Sequence, residues 1–169
     1  MLSRLHNIAH NRWYWLGLTA FGLSFIIVAL YYQYVREELP CVLCIQTRVW
    51  ISAIILVALF ALLLDRRWPN IIAHILVVVC SAGLLERSYQ LLGTERGFIF
   101  GDCGFDLGLP AWLALDEWLP AVFRVETSCG YTPELILGIT MAEGLLVLSV
   151  ALLLISLILS AMAIVRQQN

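Results

Sequence analysis

Five cysteines are the residues of this sequence best able to do chemistry, and they are unevenly placed. Cys41 and Cys44 stand two residues apart in Pro40-Cys41-Val42-Leu43-Cys44, and Arg48 follows one helical turn later. Positions i, i+3 and i+7 share one helical face, so both sulfurs and the guanidinium are expected to converge. Thiols at a helix start meet the positive end of the helix dipole, which favours thiolate and hence redox reactivity. Arg48 could stabilise such a thiolate or donate to the carbonyl oxygen of a ligand arriving from an apolar phase. Pro40 is expected near the first helical position, where its missing N–H does no harm.

Cys103 and Cys129 lie farther along, 26 positions apart, while Cys80 stands alone among Val77, Val78, Val79 and Ser81 as a small packing residue. Glycines flank Cys103 in Gly101-Asp102-Cys103-Gly104, an accessible backbone suited to attack by a partner's thiolate. The four cysteines other than Cys80 allow three pairings. The two-residue spacing favours Cys41 with Cys44, which leaves Cys103 with Cys129. A zinc site is disfavoured, because the second two cysteines are far apart and no histidine accompanies them.

The elements that must position these thiols belong to a membrane. The chain has 169 residues, of which 62% are hydrophobic and 13% charged, with mean hydropathy +0.90. Soluble proteins are nearer about 45 to 50% apolar and about 25% charged. All ten basic residues are arginine, the net charge is −2 and no basic run exists, which argues against nucleic acid as a partner. Charge-free stretches run over Trp13–Val35, Val49–Leu64, Trp68–Leu85 and Gly144–Val165. Each approaches the roughly 20 residues that cross a bilayer, the second once it is extended back to Cys44 with Arg48 snorkelling outward. The reading is an all-α membrane protein, a four-transmembrane-helix bundle over a single integral membrane domain, 1–169. Helices are expected at about 14–34, 44–64, 69–87 and 144–165, with outward loops at about 35–43 and 88–143. The first apolar run is too long for a secretory signal and lacks a small-residue cleavage site, so it is read as a retained helix.

Arginine distribution sets the expected orientation. Arg4, Arg12, Arg66, Arg67 and Arg166 occupy very short segments on one side. Arg36, Arg48, Arg87, Arg96 and Arg124 are spread over long segments on the other, beside eleven of the twelve acids. The positive-inside rule then places both termini in the cytoplasm and the four non-membrane cysteines outside, where disulfides persist. Within the second loop, Trp112, Leu115 and Leu119 recur on one face between Pro110 and Pro120, so a short helix lying in the membrane interface is expected. Trp13, Trp15 and Trp68 read as an inner aromatic belt, and His74 as a satisfied interfacial group.

The helix-start motif Pro40-Cys41-Val42-Leu43-Cys44 with Arg48, the two further loop cysteines and the four helices resemble the disulfide bond formation protein B (DsbB) family. That family reoxidises the periplasmic thioredoxin-like thiol oxidase DsbA and reduces membrane quinone. The resemblance implies catalytic roles for Cys41, Cys44, Cys103 and Cys129, with Cys41 and Cys44 oxidised by quinone and Cys103 and Cys129 attacked by the reduced partner. It also implies Arg48 beside the ring of a ubiquinone or menaquinone held against Cys44, and a bacterial inner-membrane location. The alternative is a structural membrane subunit whose periplasmic disulfides only brace its loops.

Overall fold

The computed structural model of the chain describes residues 12–64, 67–99, 104, 106–136 and 138–165. Four helices within it are long and apolar enough to cross a membrane. They are α1 (Arg12–Val35), α2 (Val42–Leu64), α3 (Arg67–Glu95) and a last helix, α6 (Met141–Val165). A helix satisfies its own backbone polar groups, which is why apolar stretches of this length cross lipid in that form. α1 packs on α2, α2 on α3 and α3 on α6.

Lipid offers no hydrophobic drive for helices to associate, so close packing must hold the bundle together. The buried stripe of α3 runs His74, Val77, Ser81, Leu84, Ser88, Leu91, and that of α6 includes Ala142, Leu145, Ser149, Ser156 and Leu159. Both stripes step alternately by three and four residues or by whole heptads, the pattern of a left-handed helix seam. The serines keep the seam narrow. Their hydroxyls donate within their own helix, Ser81 to the Val77 carbonyl at 2.7 Å and Ser149 to that of Leu146 at 2.9 Å, so small side chains face the neighbour without an unmet donor. Gly83 marks a tight approach of α3 to α2, since a Cβ there would lie 2.6 Å from the Trp50 ring.

Two helix ends differ from the sequence expectation by three residues or more. α3 continues to Glu95 rather than stopping near residue 87. The charges at Glu86 and Arg87 close the apolar stretch but not the helix: Arg87 donates to Gln90 and Gln90 to Glu86 on the outer face, while Ser88 and Leu91 extend the buried stripe. α6 begins at Met141 rather than 144. The Glu143 N–H donates to the Thr140 hydroxyl at 3.3 Å and the Thr140 N–H to the Glu143 carboxylate at 3.2 Å, a reciprocal capping box.

The interfacial helix expected between Pro110 and Pro120 is broken. The chain forms a 3₁₀ turn (Ala111–Leu113), then two single-turn helices, α4 (Leu115–Trp118) and α5 (Pro120–Phe123). Leu119 leaves helical geometry, with φ −135° and ψ 63°, since a residue before a proline is disfavoured in the helical region. Leu115 packs on the core whereas Trp112, Trp118 and Leu119 are exposed, so the expected single face is split. A short antiparallel ladder, β1 (Glu134–Ile136) with β2 (Ile139–Thr140), precedes α6 and was not foreseen.

Trp15 is a correction to the belt reading: it is buried, with its ring 4.8 Å from that of His74, which is itself wholly buried and stacked on Tyr14. Trp13 is exposed as expected, and the side chain of Trp68 lies outside the described residues. Arg4, Arg66 and Arg166, which support the orientation, also lie outside them.

Candidate functional site

The site is built at the head of α2. Cys41 is the N-cap rather than a helical residue: its carbonyl accepts the Ile45 N–H at 3.0 Å and its sulfur accepts the Cys44 N–H at 3.4 Å. Pro40 therefore stands one residue before the cap, not at the first helical position. Its carbonyl instead accepts the backbone N–H groups of Glu126 and Thr127, and Cys41 pairs with Thr127 in a parallel bridge. The chain just before Cys129 is thus laid alongside the chain that carries Cys41.

The sulfurs of Cys41 and Cys44 are 2.9 Å apart and both are free thiols. Cys41 is held at about 7, below the usual 9.0, chiefly by a hydrogen bond from the Cys44 thiol. Burial opposes this, and the N–H groups of Cys44 and Leu43 assist it. One negative charge is therefore cheap for the pair at neutral pH. The two sulfurs can exchange the remaining proton across their contact.

Arg48 does not snorkel outward as expected. It is 6% exposed and buried beneath the second loop. Its Nη1 donates to the Gln33 side-chain oxygen at 2.6 Å and to the Val122 carbonyl at 2.9 Å, and Nη2 donates to the Ala29 carbonyl at 3.3 Å. Tyr34 adds a bond from its hydroxyl to the Ala121 carbonyl at 2.8 Å. The loop is consequently tied down over residues 121–127. Gln46 performs a similar task for the earlier part of the loop, donating to the Leu107 carbonyl at 2.9 Å.

Beside this assembly lies a cavity of about 370 Å³ between α1, α2 and α6. Among the described residues, Cys44, Thr47 and Arg48 form its polar edge, and Phe25, Ile26, Ile51, Met141, Leu145 and Leu148 are among the side chains that close the rest. Of the residues read from the sequence, Cys41, Cys44 and Arg48 come together. Cys44 and Arg48 share the cavity wall, and Cys41 touches Cys44 from behind. Cys129 is half-buried and disulfide-bonded, while Cys103 lies outside the described residues. Cys80 is a free thiol buried in the bundle, away from the cavity wall. Sequence reasoning missed Gln33, whose role depends on a tertiary contact, and the Val122 and Pro40 carbonyls, which no side-chain pattern announces.

The sequence matches the family described as disulfide bond formation protein DsbB over residues 11–159. The chain belongs to the DsbB family. Among its relatives, disulfide bond formation protein B 2 of Pseudomonas aeruginosa is 33% identical over 157 residues, covering 91% of this chain and 93% of that protein. Disulfide bond formation protein B of Shewanella frigidimarina is 32% identical over 149 residues, covering 86% and 87%. DsbB membership makes the four long helices a membrane bundle and gives the chain a role in disulfide bond formation.

Proposed function

We propose that this DsbB-family chain is a protein-disulfide:quinone oxidoreductase. Electrons would come from a reduced periplasmic DsbA-like thiol oxidase, pass through Cys103 and Cys129 to Cys41 and Cys44, and end on a membrane ubiquinone or menaquinone. The observation that carries the reading is the apolar cavity whose polar edge brings together the Cys44 thiol and the Arg48 guanidinium, with Thr47 between them in sequence. Its volume lies in the range of pockets that hold small organic ligands, and its lining suits a flat lipid-soluble ring with a carbonyl turned toward Arg48.

The chemistry balances at each step. The partner's dithiol reduces the Cys103–Cys129 disulfide and leaves oxidised. The resulting dithiol reduces the Cys41–Cys44 disulfide by a second exchange, each exchange being attack of a thiolate on a sulfur with a thiolate leaving. Cys41 and Cys44 then surrender two electrons and two protons to quinone, forming their S–S bond as hydroquinone departs. Arg48 stabilises negative charge as it moves from sulfur to the quinone oxygen. Pairing of Cys41 with Thr127, two residues before Cys129, supports the second exchange.

The arginine bias and the need for an oxidising side put both termini in the cytoplasm and the four relay cysteines in the periplasm of a bacterial inner membrane. The test is quinone reduction, followed by ultraviolet absorbance, in vesicles containing the purified protein, a short-chain quinone and a reduced thioredoxin-like dithiol protein. Wild type should convert one quinone per dithiol oxidised, and Cys44→Ser should convert none. Turnover in Cys44→Ser equal to wild type would overturn the relay.

A further inference from the structure

Gln33 is buried on α1 and is bonded to the site through Arg48. It does not line the cavity, yet its side-chain oxygen makes the shortest of the three bonds that fix the guanidinium. The three acceptors have one property in common: a side-chain amide and two backbone carbonyls are all neutral. A guanidinium this deeply buried would ordinarily be matched by a carboxylate, which would hold it equally well and cancel its field. Glu126 is near enough to act on the guanidinium but is not among the acceptors bonded to it, so neutral groups fix its orientation and its charge still acts on whatever occupies the cavity.

We propose that Gln33 is a positioning residue that holds Arg48 against the cavity with a neutral acceptor, so that the positive charge stays available to the sulfur and the electron acceptor at Cys44. The inference rests on the quinone reading given above. It separates two effects that loss of Arg48 would merge. A carboxylate at position 33 keeps the acceptor geometry but neutralises the charge, whereas an apolar side chain of similar size keeps the charge but removes one of the two acceptors that hold Nη1.

The experiment compares wild type, Gln33→Glu and Gln33→Leu, each purified, folded and adjusted to equal amounts. In the vesicle assay, Gln33→Glu should lower kcat for quinone by about tenfold or more while KM stays within about twofold, because charge develops in the transition state. Gln33→Leu should instead raise quinone KM, because the ring loses its fixed donor. Thiol exchange between the partner and the loop cysteines should be unchanged in both. A second readout needs no quinone: in the reduced protein, iodoacetamide should alkylate the Cys41 and Cys44 pair more slowly in Gln33→Glu than in wild type, since the pair reacts through the one thiolate its two sulfurs share and the nearby stabilising charge is cancelled. If wild type reduces no quinone, the functional reading fails while alkylation still judges Gln33. Wild-type kcat, KM and alkylation rate in both variants would overturn the proposal, as would identical kinetic defects in Glu and Leu, which would mean that Gln33 only supports packing.

Discussion

The sulfur contact at the head of α2 makes a quantitative prediction about Cys44→Ala. With the Cys44 thiol donating, Cys41 titrates at about 7 against the usual 9.0. That difference corresponds to about 3 kcal/mol in favour of the thiolate. Alanine at 44 removes the principal cause and leaves burial opposing ionisation, so the midpoint should rise to the ordinary value or above it. At pH 7 the thiolate fraction falls from about one half to about one part in a hundred, a change of roughly fiftyfold. A more basic thiolate is intrinsically more nucleophilic, which returns roughly six- to tenfold of this. Exchange of Cys41 with a small disulfide at pH 7 should therefore slow only about five- to eightfold, and the loss should vanish as pH rises past the new midpoint. The direct assay is a pH titration of ultraviolet thiolate absorbance in a background lacking Cys80, Cys103 and Cys129. It should show one step centred near 7 with Cys44 present, displaced upward without it. An unchanged midpoint near 7 in Cys44→Ala would refute the reasoning and assign the activation to the helix start.

Gly83→Ala places a methyl group against the Trp50 ring and should destabilise the α2–α3 crossing by about 1 to 3 kcal/mol, a fall of about 2 to 12 °C in a thermal-shift scan. An unaltered melting temperature would show that the indole moves aside freely. For sidedness, a membrane-impermeant maleimide added from the periplasmic side should label Cys103 in the reduced protein and fail to label a cysteine placed at Arg66. The opposite pattern would overturn the orientation and the relay together, because the cytosol would keep these thiols reduced.

The covalent part of the site was legible because helical periodicity alone brings positions 41, 44 and 48 together. Apolar length likewise located the four helices. The ends were harder, since charge marks where lipid stops and not where a helix stops, as Glu86 and Arg87 show. The start of α6 did carry a local signal: Thr140-Met141-Ala142-Glu143 has the spacing of a capping box, which an inventory of charges overlooks. Arg48 was misread because an arginine one or two turns inside a membrane helix has water as its default partner. What claims it instead is Gln33, fifteen residues earlier, and a loop carbonyl at Val122, seventy-four residues later. Neither distance has a signature in one sequence. The broken helix near Pro120 failed for a different reason, since apolar spacing was weighed above the backbone restriction that proline places on Leu119.

The three oxygens around Arg48 also set an order of events during synthesis. Ala29 and Gln33 leave the ribosome before Arg48, and Val122 long after it. A nascent α1–α2 hairpin can thus dock the guanidinium on two of its acceptors while the rest of the chain is still being made. The third acceptor arrives only when the loop folds back. Insertion of a buried charge is in this way divided into an early, local stage and a late, long-range one. The chain segment leading to Cys129 is fastened over the site at that last stage, so a biosynthetic intermediate arrested before residue 122 would hold Cys41 and Cys44 in place with no loop cysteine pair to exchange with them.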